Sequence, residues 1–168
     1  MLKKPVVVLM LVLFSGCVPS RSSQRSQGPT KISGPSGYMM TPYGITIEAR
    51  YEPSLDQLMP GYKIVIVSLT NNSMDPIPMD AIKDKWVIET LNGRKLKATN
   101  SLRLKDPKVW SDLPKEKKSL MEYPHTVPIG YTQTFDIFIR GNPNLEDFHA
   151  VTYKNEAMGM IFEILTSE

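Results

Sequence analysis

The sequence predicts an all-β domain, a single antiparallel β-sandwich, and three observations lead there. Apolar residues recur at every second position in several short segments. Those segments are rich in β-branched and aromatic residues, and Pro, Asn and Gly punctuate the spaces between them. Helical patterning is confined to one short stretch. A segment that alternates with period two has one wet face and one dry face, so several of them need one another's dry faces as a core.

The first such segment is ITIEARYE, where Ile45, Ile47, Ala49 and Tyr51 alternate with Thr46, Glu48, Arg50 and Glu52. Next comes GYKIVIVSLTNNS, in which Ile64 to Val67 is apolar on both faces. That suits a central strand covered on both sides, ended at Asn71-Asn72-Ser73. The triplet also fits a glycosylation sequon, but a turn is the simpler role.

In KWVIETLNGRKLKA the Asn92-Gly93 pair marks a hairpin whose register follows from the side chains. A two-residue loop would place Trp86 and Ile88 on the same face as Lys95 and Lys97, mixing core with charge. A three-residue loop with Gly93 in the left-handed conformation pairs Ile88 with Leu96. Trp86, Ile88, Leu96 and Ala98 then share one face, with Glu89 opposite Lys95 on the other, so the bulged form is expected.

The helical candidate is a short piece of SDLPKEKKSLMEY, with Ser111 or Asp112 as cap and Pro114 in the first turn. In TQTFDIFIR, Phe135, Ile137 and Ile139 alternate with Thr134, Asp136 and Arg140, and Phe138 is out of phase. HAVTYKN and AMGMIFEIL follow, the latter with Met158, Met160, Phe162 and Ile164 on one face. Some seven short strands with such turns argue for a sandwich of immunoglobulin-like type. The run from SLTNNS through DPIPM to the Trp86 strand and the LNG hairpin resembles immunoglobulin-like accessory domains of bacterial envelope lipoproteins. The resemblance covers Gly61 to Ala98 and implies a fold without an activity.

The chain starts with two lysines, Lys3 and Lys4, then an apolar run from Pro5 to Phe14, then Ser15, Gly16 and the only cysteine, Cys17. This is the layout of a secretory signal, and the run is too short for a permanent span, which needs roughly 20 residues. LFSGC resembles the lipobox of bacterial lipoproteins, with Phe14 where an aliphatic residue is more usual. The resemblance implies cleavage before Cys17, a diacylglycerol on its sulfur and an acyl chain such as palmitate on the new amino terminus. More than one chain on one residue makes a lasting anchor. In such proteins an aspartate after the cysteine favours the inner membrane. Val18 stands there, so in a cell with two membranes the expected location is the outer membrane, facing the periplasm.

Three regions follow: a signal peptide over 1–16, a lipidated Cys17 with a flexible tether over 17–44, and a sandwich domain over 45–168. Ser, Gln, Gly and Pro dominate the tether, a composition that buries too little apolar surface to offset chain entropy. The remaining residues suffice for one core. With no second cysteine, packing alone must hold that core.

The whole chain carries 20 basic and 17 acidic residues. Removing the signal takes away Lys3 and Lys4, and Arg21, Arg25 and Lys31 lie in the tether, which leaves the domain at 15 basic against 17 acidic. A net cationic field is absent, so no nucleic-acid partner is expected. Charge is nevertheless segregated: Lys83 to Lys118 holds 11 basic and 5 acidic residues. Lys95, Lys97, Arg103, Lys105 and Lys108 form a candidate basic patch for an acidic protein, an anionic polymer or head groups. The alternative is a set of edge-strand lysines that discourage aggregation.

Chemistry is sparse. The two histidines, His125 and His149, match no zinc spacing, and Met158 with Met160 could join a histidine on copper(I) but reads better as core. No GxSxG motif exists, and Glu122, Asp136, Glu146 and Asp147 are surface acids before they are a glycosidase pair. The sequence therefore points to a non-catalytic envelope lipoprotein that binds or positions an envelope protein, held to the membrane through covalent lipid, with no metal and no cofactor. The other class is a periplasmic enzyme or metal carrier built on His125 and acidic neighbours.

Overall fold

Alternation decides which faces meet. The computed structural model describes residues 36–166. The signal over 1–16, Cys17 and the tether up to residue 35 lie outside the described residues. The described residues form ten strands: β1 Ser36–Met40, β2 Ile45–Tyr51, β3 Tyr62–Asn71, β4 Ile77–Pro78, β5 Lys85–Thr90, β6 Lys95–Ala98, β7 Thr126–Val127, β8 Tyr131–Arg140, β9 Phe148–Asn155 and β10 Met160–Leu165. They form a sheet in the order β1-β2-β3-β8, a second in the order β10-β9-β5-β6, and a small β4-β7 pair, all antiparallel.

The inner faces of the two large sheets share one core. Ile47, Val67, Phe135 and Ile137 come from the first sheet, and Trp86, Ile88, Val151, Tyr153 and Phe162 from the second. Met158 and Met160 pack against this core, but only Met160 lies on the strand expected for both, and Met158 sits in the turn before it. The β5-β6 hairpin has the bulged register: Trp86 faces Ala98, Ile88 faces Leu96 and Glu89 faces Lys95, with Gly93 at φ 77°. Glu89 and Lys95 make an ion pair of 3.4 Å on the wet face.

The doubly apolar strand is β3, inside its sheet between β2 and β8. Val65, Val67 and Leu69 face the main core, while Ile64 points outward into a second cluster with Met59, Tyr62, Leu102, Met121 and Phe138. Phe138 is out of phase in the sequence for that reason. It lies opposite Ile64 on the outer face, under a cover.

That cover comes from α1 Leu102–Lys105 and α2 Pro107–Asp112, with Leu113 and Met121 on either side of α3 Lys115–Leu120. The helical expectation reached only α3. Ser111 and Asp112 close α2 instead of capping a helix, and Pro114 stands just before α3 at its N-cap. The cap that forms is Asp106, whose side chain accepts from the Val109 amide ahead of Pro107.

A second correction concerns the tether. Residues 36–40, placed in it by their position beside Ser and Gly, pair with β2 from Ser36 opposite Arg50 to Met40 opposite Thr46. The folded body therefore starts before Ile45. Tyr38 and Met39-Met40 supply apolar surface that the polar residues before them do not.

Two isolated bridges join the edges of the large sheets. Thr99, just past β6, exchanges backbone hydrogen bonds of 2.8 and 2.7 Å with Phe138 of β8. At the other side Gly37 of β1 pairs with Thr166, just past β10. Both sheets thus have their edges partly stitched, which limits the open edge available for aggregation. A Cβ on Gly37 would lie 2.7 Å from the Leu165 carbonyl oxygen, closer than real side chains sit. Gly37→Ala is expected to lower stability by about 1–3 kcal/mol and to speed amide exchange in β1 and β10 first. Unchanged exchange in both strands would show that they do not meet at this seam.

Candidate interaction surfaces

One end of the first sheet is built around Asn71, the last residue of β3. Its amide donates to the carbonyls of Asp75 and Val127, both at 2.9 Å, and its side-chain oxygen accepts from the Ser73 amide and hydroxyl. The side chain is fully buried, and its nitrogen is engaged twice, so the Asn71-Asn72-Ser73 triplet acts as a turn and leaves no room for a glycan. Its carbonyl accepts from the Gly130 amide at 2.6 Å, and the Asn72 amide donates to the Gly44 carbonyl at 2.8 Å. Three loops, over 41–44, 72–76 and 128–130, are thereby tied to one another by main-chain bonds. Gly44 is required at this junction. Its φ is +82°, and a Cβ would meet the Asn72 carbonyl oxygen at 2.7 Å.

On this fixed frame the loops and strand ends hold large apolar side chains in water: Tyr43 is 69% exposed, Met74 89%, Ile129 50% and Tyr131 62%. Met40, at the end of β1, is exposed beside them. Single exposed apolar residues are ordinary, whereas a group of them gathered at one end is the usual mark of an interaction surface. The sequence carried the signal as large apolar residues inside turn segments, TPYG, NNSM and PIGY, where polar residues are the norm.

At the opposite end of the same sheet a charged triad closes the core. Tyr51 donates to Asp56 at 2.6 Å, and Lys63 is hydrogen-bonded to both. The Asp56 hydrogen bond raises the Lys63 pKa, and burial followed by Asp56 raises that of Tyr51. The triad ties the 3-10 turn at Pro53–Leu58 to β3.

A third polar group is inside the core. Asp84 precedes β5 and is nearly fully buried. One of its carboxylate oxygens accepts from Tyr123 at 2.8 Å, Tyr153 at 3.0 Å and the Asp80 amide at 3.0 Å. Trp86 Nε1 donates to the Tyr123 oxygen at 3.3 Å, and Asn155 donates to the Tyr153 oxygen at 2.7 Å. Sequence reasoning gave no sign of this network, because its members are scattered over more than seventy positions. It links β5, β9 and the segment after α3 at the centre of the molecule.

The expected basic patch is divided. Lys95 and Lys97 project from β6 on the outer side of the second sheet, and Lys95 is engaged by Glu89. Arg103, Lys105 and Lys108 are exposed on α1 and α2, over the outer side of the first sheet. His125 and His149 are both exposed, the first in the loop before β7 and the second on β9. Among the described residues, no group of three or more His, Cys, Asp or Glu could hold a metal ion. Of the four acids considered for glycoside cleavage, Asp136 is buried on β8, Glu122 follows α3, and Glu146 and Asp147 precede β9. No protein-family model, curated protein or solved structure matches the chain.

Proposed function

We propose that the chain is an acyl-anchored envelope lipoprotein whose domain is an immunoglobulin-like β-sandwich that binds or positions a protein partner on the periplasmic side, without catalysis of its own. The observation that carries this reading is the end of the first sheet where Tyr43, Met74, Ile129 and Tyr131 stand exposed on three mutually bonded loops. Such a surface gains by covering apolar area, and its fixed frame means that little chain entropy is lost on binding. The Lys3-Lys4 start and the LFSGC run supply the second support, a lipid on Cys17.

In this mechanism the lipid fixes the location, the residues between Cys17 and Ser36 set the reach, and the loop end makes the contact. β3 spans ten residues, so the loop end lies about 30 Å from the opposite end of the sheet. The chain enters level with Ile66, five residues before Asn71, so about 16 Å separates the loop end from the point of entry. Outer-membrane retention follows from Val18 in the position after the lipidated cysteine.

The test combines two readouts on the full chain. Palmitate labelling in cells should be lost on Cys17→Ser, and retention of the label would remove the anchor. Partner capture from the envelope should fall at least about tenfold for Tyr43→Asp with Ile129→Asp, while folding stability changes by no more than about 0.5 kcal/mol, as for most exposed sites. Capture that is equal for the variant and the natural chain would show that the loop end is not the contact surface.

A further inference from the structure

Between Leu102 and Leu120, α1, α2 and Leu113 turn one side inward. Leu102, Val109, Trp110 and Leu113 pack onto the outer face of the first sheet with Ile64 and Phe138. The other side is basic. Arg103, Lys105, Lys108 and Lys115 are exposed and Lys117 and Lys118 half-buried, against the acids Asp106, Asp112 and Glu116. Asp106 is also turned inward, accepting from the Tyr62 hydroxyl at 2.9 Å and from the Val109 amide at 3.2 Å. Two leucines project from the same segment, Leu104 at 55% exposure and Leu120 at 43%. Lysine and arginine interspersed with exposed leucine is the composition of segments that lie on anionic lipid.

Where the chain joins the domain gives the second observation. Ser36 stands opposite Arg50, which pairs with Ile66 and through it with Asp136. The next outward-facing pair along β3 and β8 is Ile64 and Phe138, the residues that the helices cover. The chain arriving from Cys17 therefore meets the first sheet toward the helical cover and not at the loop end, where Met40, Thr46 and Thr70 lie. Between Cys17 and Ser36 the sequence adds Arg21, Arg25 and Lys31 and no acidic residue.

We propose that the basic face of α1, α2 and α3 docks on the anionic head groups of the bilayer that carries the acyl anchor, with Leu104 and Leu120 reaching the head-group boundary. Docking through this face would leave the loop end with Tyr43 and Ile129 outside the contact. The proposal rests on the lipid anchor at Cys17, which confines this face to the neighbourhood of a membrane.

Trp110 in α2 reports the contact, since the other tryptophan, Trp86, is buried in the core. The full chain, purified from membranes, would be reconstituted into vesicles of phosphatidylcholine alone or mixed with phosphatidylglycerol, each with a head-group quencher. Flotation of the vesicles reads the anchor, and quenching of Trp110 reads the docking. The chain should float with both vesicles, and Trp110 emission should fall at least about twofold with phosphatidylglycerol and recover as salt is raised. Trp110→Phe should remove the effect. Each basic residue near an anionic surface is worth about fivefold, so Arg103→Gln, Lys105→Gln and Lys108→Gln together should reduce the docked population about a hundredfold. Leu104→Ala should weaken it less. Flotation without a lipid-dependent change in Trp110 emission would overturn the docking and keep the anchor. Absence of flotation would overturn the anchor and the docking with it. Capture of an acidic protein that depends on these three residues, without Trp110 quenching, would reassign the face to that protein.

Discussion

Trp86→Ala is expected to remove about 3–5 kcal/mol of stability, the usual cost of emptying a core aromatic site. Trp86 is 1% exposed, stacks on Tyr153 with ring centres 4.0 Å apart and planes 5° from parallel, and meets Phe135 edge-on at 5.7 Å. Tyr153 belongs to the second sheet and Phe135 to the first, so the indole is a joint between sheets as well as a packing element. Its removal also takes the donor from the buried Tyr123 hydroxyl. Domains of this size are stable by about 5–15 kcal/mol in all, so the variant should lose about a fifth or more of its stability. Urea denaturation would show this as a midpoint about 2 M lower with the slope unchanged. Trp86→Phe, which keeps a ring on Tyr153, should cost clearly less. A midpoint for Trp86→Ala that matches the natural chain would mean that the indole does not join the sheets.

The legible parts of the fold were those where one face had to be dry. ITIEARYE reads as a strand because Ile45, Ile47, Ala49 and Tyr51 are buried and their neighbours are wetter. The hairpin register was legible because charge and core cannot share a face. That argument selected the pairing of Ile88 with Leu96 over its alternative. Phe138 and Ile64 broke the alternation in two separate strands, and together they marked a covered outer patch. Their meaning required knowing that β3 and β8 are neighbours, which no local pattern encodes.

Other features were hidden by the same locality. Asp106-Pro107 is a helix start, yet a six-residue helix has too little periodicity to stand out. β1 was obscured because Ser36 and Gly37 continue the composition of the polar segment before them. Only the close approach to Leu165 explains why glycine occupies position 37. The basic residues were visible as a count along the chain, but the count could not show that β6 and the helices lie over different sheets. For the loop end, Tyr43, Met74 and Ile129 were visible one at a time, and the hydrogen bonds that gather them were not.

Raising the pH from 10 to 12 is expected to remove about 5 kcal/mol of stability, because two buried tyrosines keep protons that the unfolded chain gives up. Tyr123 and Tyr153 both donate to the same oxygen of Asp84. Burial, first of all, pushes both hydroxyls far above their ordinary range. The charges of Tyr153 and Asp84 add to this for Tyr123, and the charge of Asp84 for Tyr153. Below pH 10 both states hold their protons, so the stabilisation is fully present. Above it the unfolded tyrosines ionise near their usual pKa of about 10 while the folded ones remain neutral. The unfolded state then binds fewer protons, and stability falls by about 1.4 kcal/mol per pH unit for each tyrosine. Tyr62, raised chiefly by burial, and Lys63, raised chiefly by its hydrogen bond to Asp56, act in the same direction and steepen the fall. Denaturation in urea at pH 9, 10, 11 and 12 would measure the slope. Tyr123→Phe leaves Asp84 one donor short and should cost about 1–2 kcal/mol at neutral pH, yet above pH 10 it should flatten the slope by one proton. The slope therefore separates the titration from the lost hydrogen bond. A stability that stays level through pH 11, or a Phe variant as steep as the natural chain, would show that these hydroxyls ionise as readily in the folded core as in water.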